Sequence, residues 1–373
     1  MLYQNEGILK IQNADEIVIY GAGMMGKMLR KCLEGKPYYM HIISYMVESL
    51  QDNPEMIDDV PVTDLAHAGL YKNSLILVAL HEKYITKAIK NLKTNGFSNI
   101  MPVTFDSDLW SDIRGNWFYQ RQIDQNIDYL DLEESFGENN IHVYIVKSVW
   151  DRQLNEKIPI RKFEIPIQAG AALTNQRIAF VNDVTGENIS EKNQQYSELT
   201  VLYWIWKHDR AKYVGLCHYR RRFQMSEREA DKLVRSDIDV VLTVPILNFP
   251  NVKSQYAKDH DSADWNIMMQ AVSELTPEYA KAADAVQNGI YYYAYNMILA
   301  RREVINEYCG WLFPILFYCE EKIGQKEDNY QNRYIGFLAE RLLTVFFIHN
   351  QDRYKIAIAK KHFIEPDYAV MEK

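Results

Sequence analysis

Three consecutive arginines after an apolar run are the residues of this sequence best suited to bind phosphate. The run Lys212–Cys217 is followed by His218-Tyr-Arg-Arg-Arg222. Guanidinium groups match phosphate oxygens with paired hydrogen bonds, so the cluster could hold a diphosphate. Strand side chains alternate, so we expect Arg220 on the face of His218 and Arg221 on the other. The alternative is a solvated basic strand end with surface ion pairs.

An acidic residue in an apolar segment is a candidate for proton transfer. Glu340 and Arg341 lie within Asn332–Asn350, which is predicted to be a largely apolar helix. A charge buried there must be paired, so one interpretation is an internal ion pair. The other makes Glu340 a general base that takes the proton of an attacking hydroxyl. His218 and Asp183 are alternative candidates for that base.

The polar loop 182–193 precedes the predicted apolar helix Tyr196–Lys207. Loops that are held on rigid elements often carry binding groups. The alternative is helix capping by Ser190 or Asn193, and the two roles are compatible.

Glycines follow the first predicted strand. Gly21, Gly23 and Gly26 lie between the strand Glu16–Tyr20 and a helix predicted for Lys27–Leu33. Such a turn lets phosphate approach the backbone at a helix N-terminus. The acidic residue expected at the end of the second strand is Glu48, which is somewhat late in the sequence. Nucleotide or nucleotide-sugar binding, a purely structural role and an NAD-linked dehydrogenase remain open for this segment.

The order of elements predicts two α/β domains. Strands and helices alternate over residues 1–105, which is typical of a small Rossmann-like parallel sheet. Residues 106–140 are polar and acidic and are predicted to be a partly helical linker. A new strand at Ile141 opens a mixed α/β domain over residues 141–373. Its predicted elements include the strands Asp239–Val244 and Ile290–Leu299 and the helix Arg302–Lys322.

Composition excludes some classes of function. The net charge is −8, from 42 basic and 50 acidic residues, which argues against nonspecific nucleic-acid binding. The four cysteines lie apart in apolar contexts, as expected for thiols in a reducing compartment. The start lacks a signal-peptide pattern, and no apolar run reaches the ~18 residues of a membrane span. We expect a cytoplasmic location with at most peripheral contact at the inner face of the plasma membrane.

The first domain resembles the N-terminal domains of bacterial sugar acyltransferases. The resemblance rests on the glycine turn and on the acidic stretch before Val60-Pro-Val. In those proteins a similar turn binds a nucleotide sugar, which the resemblance implies for Gly21, Gly23, Gly26 and Glu48.

Longer motifs mark the second domain. They include Ser197-Glu-Leu-Thr-Val-Leu-Tyr-Trp-Ile-Trp-Lys, Tyr213-Val-Gly-Leu-Cys-His-Tyr-Arg-Arg, Tyr295-Asn-Met and Gly336-Phe-Leu-Ala-Glu-Arg-Leu-Leu. From about Ile141 to the end, the chain resembles a bacterial family of capsular and exopolysaccharide biosynthesis proteins. That family was long catalogued as a domain of unknown function and is regarded as glycosyltransferases.

The resemblance implies a GT-A-like fold and a hexosyltransferase activity. The donor would be a nucleotide sugar, with a UDP-sugar expected first, and the acceptor a growing polysaccharide or a polyprenyl-linked saccharide. Expected donor-binding residues are Arg220, Arg221, Tyr219, Asn188, Lys192, Glu198 and Asn296.

The metal motif of GT-A-like enzymes is absent from its expected place. Their matching strand ends in Asp-x-Asp, whereas here it ends in His218-Tyr219-Arg220. The pair Asp237 and Asp239 lies at the start of a strand, which is the wrong end. We therefore expect no metal site, and arginines could instead stabilise the leaving diphosphate.

Two further functions remain open. One is an NAD(P)-linked oxidoreductase or epimerase of nucleotide sugars that uses the first domain. The other is a noncatalytic scaffold that senses a nucleotide sugar. The sequence carries no Gly-x-Ser-x-Gly, P-loop or His-Glu-x-x-His motif for other chemistry.

Overall fold

The computed structural model describes residues 2–51, 53–122, 127–129, 140–154 and 158–364. The chain divides into two compact units, Met1–Gln122 and Ile123–Lys373. Both contain a sheet dominated by parallel pairs and flanked by helices, which confirms the predicted α/β class. Within the described ranges, none of the helices is both long and apolar enough to cross a membrane.

The first unit is a doubly wound sheet. Its strands are β1 (Ile17–Tyr20), β2 (Ile42–Val47), β3 (Met56–Ile57), β4 (Val60–Asp64), β5 (Leu75–Val78) and β6 (Ile100–Pro102), and its helices are α1 (Glu6–Gln12), α2 (Met24–Glu34), α3 (Glu82–Thr94) and α4 (Asp108–Gln122). The spatial order is β3-β4-β2-β1-β5-β6, with every pair parallel except β3–β4. The strand order reverses at β1, which lies between β2 and β5.

The predicted linker 106–140 requires correction. Its first part forms α4, a helix of 15 residues that packs on α1 and α2 within the first unit. Trp110, Ile113 and Trp117 of α4 are buried, and so are its charged residues Asp112 and Arg114. Because charged residues are buried among the apolar ones, the sequence pattern concealed this helix. Residues 130–139 of the predicted linker lie outside the described residues.

The second unit contains the remaining elements. Its strands are β7 (Ile127–Tyr129), β8 (Ile141–Lys147), β9 (Glu164–Gln168), β10 (Val181–Asn182), β11 (Tyr213–His218), β12 (Arg221–Phe223), β13 (Val240–Thr243), β14 (Ile246–Leu247), β15 (Tyr291–Tyr292), β16 (Ile298–Arg301), β17 (Ile356–Ala359) and β18 (Lys361–Phe363). Its helices are α5 (Asn193–Tyr196), α6 (Leu199–His208), α7 (Glu227–Leu233), α8 (Val252–Asp259), α9 (Ser262–Leu275), α10 (Ala280–Asn288), α11 (Arg302–Ile323) and α12 (Tyr334–His349).

The second sheet has the order β10-β9-β8-β11-β16-β13-β17-β7, and β12 continues from β11 to pair with β18. β8 and β11 are parallel, whereas β16 runs antiparallel between β11 and β13. The antiparallel register joins Leu216 to Ile298. Residues just before Ile298 therefore lie beside the residues that follow Leu216, at the carboxyl end of β11.

The predicted strand Ile290–Leu299 is interrupted. β15 ends at Tyr292 and β16 begins at Ile298. Between them, Tyr295 and Asn296 have φ angles of 69° and 50°, which an extended strand does not contain. The apolar pattern of the segment concealed this break, which lies at the carboxyl end of β11.

Candidate active site

A tight hairpin determines where the arginines point. β11 ends at His218, the chain turns at Tyr219 and Arg220, and Arg221 pairs with His218 across the ladder. Directly paired residues share a face of a sheet. The expectation that Arg220 accompanies His218 is therefore wrong, because the turn replaces the assumed continuous strand, and Arg221 takes that position. The hydroxyl of Tyr219 accepts a hydrogen bond from the backbone nitrogen of Arg152 at 3.4 Å.

Arg221 is held between two aromatic rings. Its guanidinium carbon lies 4.1 Å from the ring centroid of Tyr295 and 5.2 Å from that of Phe363. Its buried Nε has no hydrogen-bond partner among the described residues. The aromatic contacts thus orient the cation.

The neighbouring arginines have other surroundings. Arg220 lies 4.9 Å from the Phe363 ring and close to Asp151. Burial raises the pKa of Asp151 to about 6, although the charge of Arg220 opposes that shift. Arg222 is buried and its Nε donates to Glu164 Oε1 at 2.9 Å. This ion pair makes Arg222 part of the core rather than of a binding pocket.

His218 is a neutral imidazole at the carboxyl end of β11. Its Nε2 donates a hydrogen bond to the backbone carbonyl oxygen of Tyr295 at 2.6 Å. Burial lowers the pKa of His218, and the charge of Glu198 opposes this shift. With Nε2 carrying the proton, Nδ1 of the neutral ring is a hydrogen-bond acceptor.

Both carboxylate oxygens of Glu340 accept hydrogen bonds. Oε1 accepts from the backbone nitrogen of Tyr295 at 2.7 Å, and Oε2 accepts from Arg341 Nη1 at 2.8 Å. The predicted ion pair is therefore present. Burial nevertheless raises the pKa of Glu340, and the nearby charge of Glu198 raises it further. Such a carboxylate is better matched to accepting a proton near neutral pH than an exposed glutamate is.

Asn296 connects the loop before β16 to two helices. Its Nδ2 donates to Glu198 Oε1 at 2.6 Å and to the Gly336 carbonyl at 3.2 Å. Its buried Oδ1 has no partner among the described residues. Ser197, beside Glu198, has a φ of 50°, and its hydroxyl accepts from Arg333 Nε at 3.1 Å.

Backbone strain is concentrated in this cluster. Ser197, Tyr295 and Asn296 all have positive φ angles, which cost energy in residues other than glycine and often accompany functional sites. The sequence-based prediction includes Asn296 but omits Tyr295 and Arg333. An available signal for Tyr295 was the Tyr-Asn-Met motif inside an otherwise regular strand pattern.

Asp183 has a structural role. Its buried carboxylate accepts from the backbone nitrogens of Gly170 and Ala171 at 2.8 and 3.0 Å. It also accepts from the hydroxyls of Ser190 and Thr200 at 2.5 and 2.6 Å. Four donors occupy its two oxygens, so the prediction of Asp183 as an alternative base is wrong.

Two predicted donor-binding residues are engaged within the protein. Lys192 Nζ lies 2.7 Å from both carboxylate oxygens of Glu320. Asn188 Nδ2 donates to the carbonyls of Val184 and Gly186 at 2.9 and 2.8 Å. Both side chains stabilise the loop before α5, which corrects their expected role as donor ligands.

The Asp237-Ile-Asp239 segment precedes β13 and lies at the amino end of that strand, whereas His218 lies at the carboxyl end of β11. Asp237 pairs with Lys355 Nζ at 2.6 Å and Asp239 with Arg301 Nε at 3.0 Å. Among the described residues, no group of three or more histidine, cysteine, aspartate or glutamate side chains is placed to hold a metal ion.

The glycine turn of the first unit combines tight packing with one open position. Gly21 has a φ of 122°, and a Cβ there would lie 2.7 Å from the Ala79 carbonyl oxygen. A Cβ on Gly26 would lie 2.0 Å from the Gly21 carbonyl oxygen, so α2 can approach β1 only with glycine. A Cβ on Gly23 would meet nothing within 4 Å. Gly23, at the N-terminus of α2, is therefore the accessible part of the turn.

Glu48 follows β2 but is engaged by α3. It lies 3.2 Å from Lys87 Nζ and accepts from Asn91 Nδ2 at 3.2 Å. Its carboxylate is exposed, so these contacts leave it accessible to a ligand.

Comparison with known proteins places the second unit in a family. The model of a domain of unknown function, DUF4422, matches residues 153–351. The chain belongs to this family. The matched DUF4422 region contains His218, Arg221, Asn296 and Glu340, the residues that meet at the carboxyl end of β11.

A solved structure described as the WbbM bifunctional glycosyltransferase, in its apo form, is similar to this chain. The sequences are 25% identical, the TM-score is 0.54, and the match covers 60% of this chain and 45% of WbbM. The chain thus spans less than half the length of that protein. No curated protein matches the sequence. The resemblance of the first unit to sugar acyltransferases stays a prediction.

Proposed function

We propose that this DUF4422 protein is a glycosyltransferase that moves a sugar from a nucleotide sugar to a saccharide hydroxyl. The observation that carries the proposal is the convergence of Glu340, neutral His218 and Arg221 at one end of β11. The similarity to a glycosyltransferase structure supports it. We further propose a UDP-linked hexose as donor, and a growing surface polysaccharide or a lipid-linked saccharide at the inner face of the plasma membrane as acceptor.

Glu340 and Arg221 each have a defined part in the proposed transfer. Glu340 takes the proton of the acceptor hydroxyl. At the same time, the oxygen of that hydroxyl forms a bond to the anomeric carbon of the donor sugar. The bond between that carbon and the diphosphate oxygen breaks, and the nucleoside diphosphate leaves with the electron pair. Arg221, whose guanidinium is oriented by the rings of Tyr295 and Phe363, supplies the positive charge that stabilises the leaving diphosphate. Such a direct displacement inverts the anomeric configuration.

The side chains that follow β11 are better suited to bind an anion than a metal ion such as Mg²⁺. His218, Tyr219 and Arg220 occupy the positions where the family resemblance implies the Asp-x-Asp motif of metal-dependent enzymes. Mg²⁺ prefers oxygen ligands, with at least one carboxylate. In our proposal, the positive charge that stabilises the leaving diphosphate therefore comes from Arg221.

A donor screen tests the proposal. The intact protein is incubated with a panel of nucleotide sugars and soluble saccharides, and released nucleoside diphosphate and glycoside product are measured by mass spectrometry. We expect one donor to be consumed, with activity retained in excess EDTA. Activity that EDTA abolishes and manganese restores would contradict the arginine-based mechanism. Failure of every donor to react or to raise the melting temperature would contradict the glycosyltransferase assignment.

We also propose that the first unit binds a nucleotide or nucleotide sugar at its glycine turn. The doubly wound strand order and the open position at Gly23 support this role. Separate thermal titrations with UDP-sugars and NAD(P)H distinguish a nucleotide-sugar site from the oxidoreductase alternative.

A further inference from the structure

Three aromatic side chains form a surface next to Glu340. The ring centroids of His260 and Phe337 lie 4.1 Å apart at an interplanar angle of 23°, and those of His260 and Tyr330 lie 5.9 Å apart at 24°. Tyr330 and Phe337 are also in contact, at 5.2 Å. We call these three residues the aromatic platform. Tyr330 is 55% exposed, so the platform presents an open ring to solvent.

The loop that carries Tyr330 is anchored. Lys326 Nζ lies 2.7 Å from both oxygens of buried Asp264, and its backbone nitrogen donates to Asn332 Oδ1 at 2.9 Å. Gln331 Nε2 donates to the carbonyl of Asp259 at 3.1 Å. An exposed aromatic ring on a fixed loop keeps its orientation, and it pays little ordering entropy when a ligand stacks on it.

The platform adjoins the proposed base. Phe337 and Glu340 are three residues apart on α12, so they lie on one side of that helix. Tyr330 lies close enough to Glu340 for the carboxylate to contribute to its raised pKa, after the larger effect of burial. On the other flank, the guanidinium of Arg333 lies 5.7 Å from the Phe337 ring.

Polar groups border the platform. Arg333 is exposed and reaches Ser197 at the active site, and Asp259 is exposed beside His260. Burial lowers the pKa of His260 to about 4, and the charge of Arg341 contributes, so its ring is uncharged at neutral pH. A flat apolar face with hydrogen-bonding groups at its edge matches a pyranose, whose C–H face is apolar and whose rim carries hydroxyls. A lipid chain would leave the charged border unused.

We propose that the aromatic platform is the acceptor subsite, where a pyranose ring stacks on Tyr330 and directs a hydroxyl towards Glu340. This inference rests on the proposed glycosyltransferase function. It places the acceptor sugar beside Tyr330 and Phe337, and the donor diphosphate beside Arg221.

Binding of simple saccharides without donor tests the subsite. Methyl glucopyranoside, galactopyranoside and mannopyranoside are each titrated into the intact protein, and saturation transfer to the sugar protons is measured by NMR. Wild-type protein and the variants Tyr330→Ala, Tyr330→Phe and Tyr84→Ala are compared. Tyr84 is a similarly exposed tyrosine, at 52%, in the first unit.

We expect at least one methyl pyranoside to bind, with Tyr330→Ala weakening it about ten-fold, which corresponds to about 1.4 kcal/mol. Tyr330→Phe should bind like the wild type, because stacking needs the ring and not the hydroxyl. Tyr84→Ala should also bind like the wild type. Failure of every pyranoside to bind, or equal binding by Tyr330→Ala, overturns the subsite. The titration contains no nucleotide sugar, so its outcome is separate from that of the donor screen.

Discussion

At the residue scale, the hairpin after β11 assigns a different environment to each of three consecutive arginines. Arg221 pairs with His218 and stacks on Tyr295, whereas Arg222 is buried against Glu164. Arg220 occupies the turn. Identical side chains in adjacent positions thus differ in burial and partners, and Arg221 is the one that stacks between the rings of Tyr295 and Phe363.

Replacing Arg221 should therefore impair turnover more than replacing Arg220. We expect Arg221→Ala to lower kcat by about a hundred-fold, the usual loss when one contact to a developing negative charge is removed. Arg221→Lys should recover only part of this loss, because lysine lacks the two-pronged geometry. Steady-state kinetics with the reactive donor measure both. A larger loss in Arg220→Ala than in Arg221→Ala would contradict the assignment.

Glu340 should control the pH dependence of transfer. Burial raises the pKa of Glu340 above that of an exposed glutamate, which is about 4.3. As the pH falls, Glu340 therefore becomes protonated, and inactive as a base, sooner than an exposed glutamate would. Activity should therefore rise with pH through this raised pKa. Glu340→Gln should lower kcat by about 10²–10⁴-fold and remove that limb of the profile. A profile unchanged in shape in Glu340→Gln would exclude Glu340 as the base.

At the element scale, apolar periodicity predicted the two long C-terminal helices closely but not the breaks that build the site. The long helices α11 and α12 end within two residues of their predicted bounds, because their apolar faces continue without interruption. The predicted strand Ile290–Leu299 contains a turn, because two residues with positive φ join separate strands. A local pattern cannot reveal such a turn when the contacts that maintain it, from Glu340 and Glu198, come from distant helices.

The buried pair between β12 and β9 offers a test of stability. The side chains of Arg222 and Glu164 are 4% and 1% exposed. Arg222→Met leaves Glu164 buried without its main partner, so we expect the free energy of unfolding to fall by about 3–5 kcal/mol. Urea denaturation measures this change. The double variant Arg222→Met/Glu164→Met should regain most of the loss, and a double variant less stable than Arg222→Met would contradict this account.

The glycine turn can be tested with a matched pair of substitutions. A Cβ at Gly23 or at Gly69 meets no atom within 4 Å, and neither residue has a positive φ. Both Gly23→Leu and Gly69→Leu should therefore fold. Only Gly23→Leu should abolish the thermal stabilisation that a nucleotide ligand gives to the first unit, because its side chain would occupy the phosphate position. Equal stabilisation of the two variants would place the ligand elsewhere.

At the scale of the whole molecule, the sequence indicated two α/β units but misplaced their boundary. The alternation of strands and helices predicted the first sheet, and the strand at Ile141 predicted the start of the second pattern. The boundary moved because α4 is buried despite its charged residues Asp112 and Arg114, and because β7 joins the second sheet. A three-residue strand such as β7 has no pattern of its own, and its pairing with β17 depends on a segment more than two hundred residues away.

The corrected boundary predicts how the chain can be divided. Fragments Met1–Gln122 and Ile123–Lys373 each retain their complete described sheets, so each should be soluble and unfold in one cooperative transition. A shorter fragment, residues 138–373, lacks β7 and leaves β17 as an unpaired parallel edge. Exposed edges promote association, so this fragment should aggregate more readily and melt at a lower temperature. Calorimetry and light scattering compare the two fragments of the second unit. Equal melting temperatures and equal solubility would show that β7 contributes little to the second sheet.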